Sequence, residues 1–285
     1  MSNRKIKIVV DSTSYIPEEL LHKYDISVVS LNVTLNNKSY REVDLDNKNF
    51  YKMMEESEEI PTSSQPSLDE VTNVFKSLLS KGYDVVGIFI SSNMSGTFSS
   101  AHLAKDMALE EYENARIELV DSRTNCMQMG YIALQAARAA QDGKCIEEVV
   151  EIANKTIENS RFLFVPDTLK YLKKGGRIGG ASALFGTILK IRPILTVKNG
   201  ETSVFEKVRT KKKAIDIILN KVISDIKEKG GGEVIVHHIN CEDEALQIAS
   251  RLKDALGIEV GTQSIGAIIG VHVGPGSVGV AYYTK

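Results

Sequence analysis

The chain has 285 residues, room for one large or two modest domains but not three. Apolar side chains make up 42% of it, enough for a core, and 35 lysines and arginines against 37 aspartates and glutamates leave a formal charge of −2. That balance argues against a dedicated nucleic-acid binder or a polybasic membrane protein, three cysteines without CxxC spacing give neither a disulfide framework nor a zinc quartet, and no stretch resembles a signal peptide or a membrane span. A soluble, cytoplasmic, globular protein is expected.

Residues 5–10 are a β-branched run, predicted as a strand, that ends in the polar loop 11–14 before Pro17, Glu18 and Glu19 open a helix. Residues 26–34 alternate as a strand, Asn36 and Asn37 mark a turn, and 39–43 form another strand. A helix is predicted over 47–59, followed by a hydroxyl-rich loop, Pro61-Thr62-Ser63-Ser64-Gln65-Pro66, bracketed by prolines. Ser67 and Glu70 have capping-box spacing, and Val71, Val74, Phe75, Leu78 and Leu79 follow at helical period.

Strands at 84–90 and 117–120 then alternate with helices at 98–111 and 125–141 through loops 91–97 and 121–124, with a further helix at 146–158 and a strand at 162–165. Near-continuous apolar strands between helices predict a parallel sheet covered by helices. A boundary near Ser160 divides the chain into an α/β domain (1–160) and an α+β domain (161–285). The second is predicted to hold a short helix at 167–174, an apolar helix at 183–190, strands 194–197 and 203–208, helix 210–229, strand 234–239, helix 242–256 and strands 265–270 and 277–283. Two helices on one mixed sheet would result.

In open α/β sheets ligands sit beyond the carboxyl ends of the strands. The loops there, 11–14, 91–97 and 121–124, with Thr62, Ser63 and Ser64 added, are rich in hydroxyls and carry one cation, Arg123. A phosphate recruits lysine, arginine or a metal as well as backbone donors, so these loops favour a carboxylate or a neutral ligand. Loop 91–97 offers four hydroxyls, from Ser91, Ser92, Ser95 and Thr97, where a helix cap needs one.

Nucleotide motifs fail on context. Gly274-Pro275-Gly276-Ser277-Val278-Gly279 matches GxGxxG, but too little chain follows for the helix the fingerprint requires. There is no GxSxG, although Ser95 with His272 at a strand end leaves a nucleophile and base open. His237 and His238 are adjacent in a strand and point to opposite faces, poor for joint metal ligation; no metal site is expected. Residues 179–197 are apolar and small, either core or the wall of a long apolar pocket. Around them the charge is uneven: 13 basic and three acidic residues between Arg161 and Lys213 give +10 there and leave −12 elsewhere. Lys211, Lys212 and Lys213 lie in the first turn of a predicted helix, where cations are disfavoured. That stretch is either a solvated face or a docking surface for an acidic or phosphorylated partner.

The opening KIVVDSTSYIP, Thr62-Ser63-Ser64-Gln65-Pro66, Ile90-Ser91-Ser92 with Ser95-Gly96-Thr97, Leu172-Lys173-Lys174-Gly175-Gly176-Arg177-Ile178, Arg192-Pro193-Ile194 and Val271-His272-Val273-Gly274-Pro275-Gly276 together resemble the DegV family of bacterial fatty-acid-binding proteins. Some members act as the acyl-carrying subunit of fatty acid kinase. The resemblance implies two α/β domains with one long-chain, palmitate-like fatty acid buried between them and no other cofactor. Its carboxylate would be held by Thr62 and Ser95 near His272, with Ser63, Ser92, Gly96 and Thr97 contributing, and its chain enclosed by the second domain. It also implies a non-catalytic carrier. A separate ATP-dependent kinase subunit would phosphorylate the carboxylate to an acyl-phosphate feeding phospholipid synthesis, with Arg177, Arg209 and His272 serving transfer or docking. The usual Thr-Ser-Gln-Pro is one residue longer here, so Ser63 is the alternative to Thr62. Other readings are a Ser-dependent esterase or acyltransferase using Ser95 and His272, and a lipid-sensing regulator without a kinase. Peripheral membrane contact during lipid exchange is a further expectation; contact with nucleic acid is not expected.

Overall fold

The computed structural model describes residues 4–184 and 191–285. Its first half contains strand β1 (Ile6–Asp11), helix α1 (Glu18–Tyr24), strands β2 (Ser27–Val29), β3 (Asn32–Leu35) and β4 (Lys38–Arg41), helix α2 (Asn47–Glu56) and strand β5 (Thr62–Ser64). Helix α3 (Leu68–Ser80), strand β6 (Asp84–Phe89), helix α4 (Thr97–Leu109), strand β7 (Ile117–Asp121) and helices α5 (Cys126–Gln141) and α6 (Ile146–Asn159) follow. Four strands form a parallel sheet in the order β2-β1-β6-β7. Every residue of β6 is buried, which is why its sequence after Asp84 reads as a continuous apolar run.

The strand predicted at 26–34 is two strands in two sheets. β2 joins the parallel sheet, while β3 pairs with β4 and β5 in a small antiparallel one. The break falls where side chains replace the ladder: the Ser30 N–H donates to Glu70 Oε1 (2.9 Å) and the Leu31 N–H to Ser12 Oγ (3.1 Å). The capping box at α3 is accordingly half formed. Ser67 Oγ accepts from the Glu70 N–H (3.1 Å), but the Glu70 carboxylate turns to Ser30 and Arg41. The loop predicted around Thr62 contains the edge strand β5.

The second half is built from strand β8 (Ser160–Val165), helix α7 (Lys170–Lys174), a 3₁₀ turn (Gly179–Leu184), strands β9 (Arg192–Lys198) and β10 (Glu201–Val208), helix α8 (Lys211–Lys229), strand β11 (Gly231–His238), helix α9 (Glu242–Leu256), strand β12 (Gly261–Ser264), helix α10 (Ala267–Val273) and strand β13 (Val278–Thr284). Its mixed sheet runs β10-β9-β8-β13-β11-β12, antiparallel except for β11 with β12.

Three expectations change here. The strand predicted at 265–270 is the helix α10, preceded by the short strand β12. All seven α10 residues are buried, and burial on every side erases the periodicity that separates a short helix from a strand. The helix predicted at 167–174 begins only at Lys170. Of the helix predicted at 183–190, Ala183 and Leu184 belong to the 3₁₀ turn, and the remainder lies outside the described residues.

The mixed sheet is covered on both faces, not one. α8 and α9 pack one side through residues such as Ile218, Val222 and Leu252. The other side shares a continuous core with the parallel sheet, running from Val10 and Ile88 through Ile132 to Phe162 and Ile269. α5 makes that continuity possible: it contacts β1, β8 and β13 together, and its alanines Ala133, Ala136 and Ala137 let both sheets approach it closely. Among the described residues no helix is long and apolar enough to cross a membrane.

Candidate functional site

Beyond the carboxyl end of β6, between the two sheets, lies a cavity of about 290 Å³, close to the lower end of the usual range for small-molecule sites. Leu31, Ile90, Phe162, Phe164, Val197 and Ile268 form much of its apolar wall, while Ser63, Ser64, Gln65, Ser95 and His272 supply a polar region. Among its described lining residues Arg177 is the one cation, and there is no carboxylate.

β5 brings Ser63 to the cavity, and Ser63 Oγ lies 2.7 Å from His272 Nε2. Thr62 is exposed, pairs with Thr34 in the small sheet, and does not line the cavity. When the motif is counted back from Gln65-Pro66, Ser63 falls where the shorter Thr-Ser-Gln-Pro has its threonine. The extra residue is thus absorbed before the site.

His272 lies in the last turn of α10 and not, as predicted, at a strand end. The residue is 91% buried, and among the described residues its Nδ1 has no hydrogen-bond partner. It abuts Gly175, where a Cβ would fall 2.1 Å from Nδ1. Burial first, then the positive charge of Arg177, lowers its pKa to about 4, so it is neutral at pH 7. Neutral imidazole can accept from Ser63 or donate to it.

The four hydroxyls of loop 91–97 divide their work. Ser91 donates from Oγ to the Gly200 carbonyl (2.8 Å) and Asn93 from Nδ2 to the Asn199 carbonyl (3.1 Å), tying this loop to the β9–β10 turn. Ser92 is bound to Asp121, Oγ to Oδ2 at 2.6 Å, away from the cavity. Ser95 Oγ accepts from the Thr97 N–H (3.3 Å) and lies 2.9 Å from Thr97 Oγ1, while its residue lines the cavity. Thr97 is fully buried and supports Ser95 from behind. Gly96 also lines the cavity, and Gln65 lies against it: a Cβ there would sit 2.1 Å from Gln65 Oε1, whose amide donates to Ser100 Oγ (2.5 Å).

Loops 11–14 and 121–124 do not line the cavity, contrary to the expectation from strand ends. Asp11 is consumed in holding β1 to the end of β6: its carboxylate accepts from the Thr13 N–H, the Thr13 hydroxyl and the Ile90 N–H (2.7 Å). Burial raises its pKa to about 6 against those bonds. Ser12 instead donates to Glu42 (2.5 Å), a buried carboxylate that also accepts from Tyr15 and from the Ile268 N–H at the start of α10 (both 2.8 Å). Desolvation raises Glu42 to about 7. The position of His272 therefore depends on a carboxylate far earlier in the chain, which no local pattern announces. His237 was equally hidden: its Nδ1 is 3.1 Å from the Gln263 carbonyl, its Nε2 accepts from the Met127 N–H (3.1 Å), and burial holds it near 4. Asn125, seen in the sequence only as a helix start, lines the cavity, as do Leu172 and Thr202.

Arg177 lies at the cavity, its Nε donating to the Met94 carbonyl (3.2 Å) and its Nη1 to that of Gly175 (2.7 Å). Arg209 is exposed between β10 and α8 and does not line the cavity. In the basic segment, Lys211 is engaged by Glu244 and the Gly276 carbonyl, and Arg192 by Asp167, whereas Lys212 and Lys213 are exposed.

Ser95 and His272, the expected nucleophile and base, are not hydrogen-bonded to each other. Ser95 is bonded to Thr97 and His272 to Ser63, and among the described residues no carboxylate is bonded to the His272 ring, so the arrangement of nucleophile, base and orienting acid expected around Ser95 is not formed there. The Gly274–Gly279 match is a turn leading into β13 with no helix after it. No group of metal-binding side chains occurs among the described residues.

Residues 5–285 match the family described as "Uncharacterised protein, DegV family". A DegV domain-containing protein of Clostridium acetobutylicum is 51% identical over 280 residues, covering 98% of both chains. The crystal structure of DegV, a fatty acid binding protein from Bacillus subtilis, superposes with a TM-score of 0.90 at 35% identity, covering 99% of this chain and 100% of that one. A stearic acid-binding protein from Eubacterium ventriosum does so with a TM-score of 0.90 at 27% identity, covering 99% and 98%.

Proposed function

The chain belongs to the DegV family, and we propose that it binds one long-chain fatty acid in the cavity between its two sheets and presents the carboxylate to a separate ATP-dependent fatty acid kinase subunit. The observation that carries this reading is the composition of the cavity among the described residues: hydroxyls and a neutral imidazole at one region, apolar side chains over the rest, and a single cation, Arg177. That set suits one negative charge on a hydrocarbon tail and lacks the charge a bound phosphate demands. The fatty acids held by the structural relatives support it.

On this reading Ser63 takes the role first expected of Thr62. Ser63 and Ser95 donate to the carboxylate, His272 keeps the Ser63 hydroxyl oriented, and Gly96 leaves room for Gln65. Thr97 and Ser92 act only through the loop they hold. The acyl chain supplies most of the affinity, at about 0.8 kcal/mol per buried methylene, and the hydroxyls fix which end is exposed to chemistry. Arg177 and Arg209, with Lys212 and Lys213, form the side to which the kinase subunit docks. The division at residue 160 belongs to the same proposal: the parallel sheet lies wholly before it, the mixed sheet begins there, and the ligand lies between them. The setting is the cytoplasm, with passing contact at the membrane surface for lipid exchange.

Mass spectrometry of freshly purified protein tests the carrier role. Denatured protein is expected at its unmodified mass with one fatty acid released per chain. Adding a fatty acid kinase subunit and ATP is expected to convert that acid to acyl-phosphate. A covalent acyl group on Ser95 would instead favour an esterase, and lipid binding without phosphoryl transfer a sensor.

A further inference from the structure

Behind the cavity lies a second, much smaller apolar void of about 10 Å³. Phe162, Phe164, Ile269 and Val273 line both spaces, whereas Ile265 and Val278 line only the rear one. The partition between them is therefore built from two aromatic rings on β8 together with Ile269 and Val273 of α10. Phe162 and Phe164 project from the same face of β8 and stack with centroids 5.0 Å apart and planes at 19°.

Their position is set by β13. Gly279 is the register partner of Phe164, and a Cβ at Gly279 would fall 2.7 Å from both Phe162 Cε2 and Phe164 Cβ. Glycine there makes the recess into which the rings settle. Phe162 is also braced edge-on by His237, centroids 5.7 Å apart, and both ring nitrogens of His237 are engaged. Among the described residues Phe164 has no such brace, and we take it as the adjustable member of the pair.

The rear void is lined along α10 by Val273, next to His272, and by Ile269, and before the helix by Ile265. His272 faces Ser63 from the last turn of α10, Ile269 lies about one turn back along the helix, and Ile265 precedes the helix altogether. We propose that the Phe162 and Phe164 pair is the chain-length gauge of the site, with Phe164 setting the longest straight acyl chain the cavity accepts. This rests on the fatty-acid reading above. A tail that reaches the rings gains nothing further until one moves, because close-packed walls yield only at a cost.

The test uses delipidated full-length protein and saturated acids from about 12 to about 20 carbons, competed against a fluorescent fatty acid, with affinity climbing about fourfold per methylene until the tail meets the rings. Wild type is expected to show a sharp break in that climb. Phe164→Leu moves the break upward by about two carbons, and Phe164→Met, nearly equal to leucine in volume, moves it by about as much. Ile265→Val enlarges only the rear void and leaves the break in place. An unmoved break in both Phe164 variants, or a break moved by Ile265→Val alone, overturns the proposal while leaving fatty-acid binding intact. Failure of wild type to bind any acid overturns the fatty-acid reading itself, and the gauge falls with it.

Discussion

Replacing Ser63 separates two neighbouring hydroxyls of which the sequence favoured the other, Thr62. Ser63 Oγ lies on the cavity, 2.7 Å from His272 Nε2, while Thr62 is exposed on the small sheet. A hydrogen bond to a charged carboxylate contributes about 1.5–3 kcal/mol, so Ser63→Ala is expected to raise the fatty-acid Kd by about tenfold to a hundredfold. Binding should weaken rather than vanish, because the methylenes keep their contribution. Ser63→Thr retains the hydroxyl and should stay within about threefold of wild type. Thr62→Val should change the Kd by less than about twofold. Isothermal titration of delipidated protein with palmitate reads all three. Unchanged affinity in Ser63→Ala together with loss in Thr62→Val would refute the assignment and return the head group to the position expected from sequence.

Other variants probe the surroundings. Gly96→Ala should lower both thermal stability and fatty-acid affinity, because its methyl would meet the Gln65 carbonyl oxygen; a variant matching wild type in both would show that Gln65 moves freely. In the unfolded chain His237 and His272 take up protons near 6.5, but in the folded protein only near 4, so their contribution is full above about 6.5 and is lost as pH falls towards 4. Asp11 and Glu42, raised to about 6 and about 7, oppose this, their contribution being lost as pH rises through those values. Glu42→Gln should therefore leave the histidine loss uncompensated, so that Tm falls more steeply than in wild type from pH 7 to 4; parallel curves would contradict it. Arg209→Glu combined with Lys212→Glu and Lys213→Glu should slow kinase-dependent acyl-phosphate formation severalfold while the protein retains its lipid. Equal rates would remove this face from docking.

The parallel sheet was legible because its central strand β6 is buried throughout and its strands alternate with helices, one of them, α3, capped by Ser67. The small sheet was not, since β2 and β3 run together in sequence and are separated by Glu70 and Ser12 acting from outside the segment. α10 was misread because a wholly buried seven-residue helix carries no periodicity. At the site, Ser63, Ser95, Gly96 and His272 were all in view as motif members. What held them in place was not: Glu42 at the start of α10, Gly175 against the His272 ring and Thr97 behind Ser95 are contacts between distant segments or within a turn, and spacing alone cannot weigh them. The count of hydroxyls overstated the binding role of loop 91–97, because Ser91 and Ser92 are spent on Gly200 and Asp121.

The central claim is that the cavity holds a fatty acid by its carboxylate at Ser63 and Ser95. A crystal structure of the delipidated protein reloaded with palmitate tests it most directly. The electron density is expected to show one acid per chain, its carboxylate within hydrogen-bond distance of Ser63 Oγ and Ser95 Oγ, and its tail running towards Phe162 and Phe164. A carboxylate bound at Thr62 or at the basic surface, or a cavity without the chain, would contradict it.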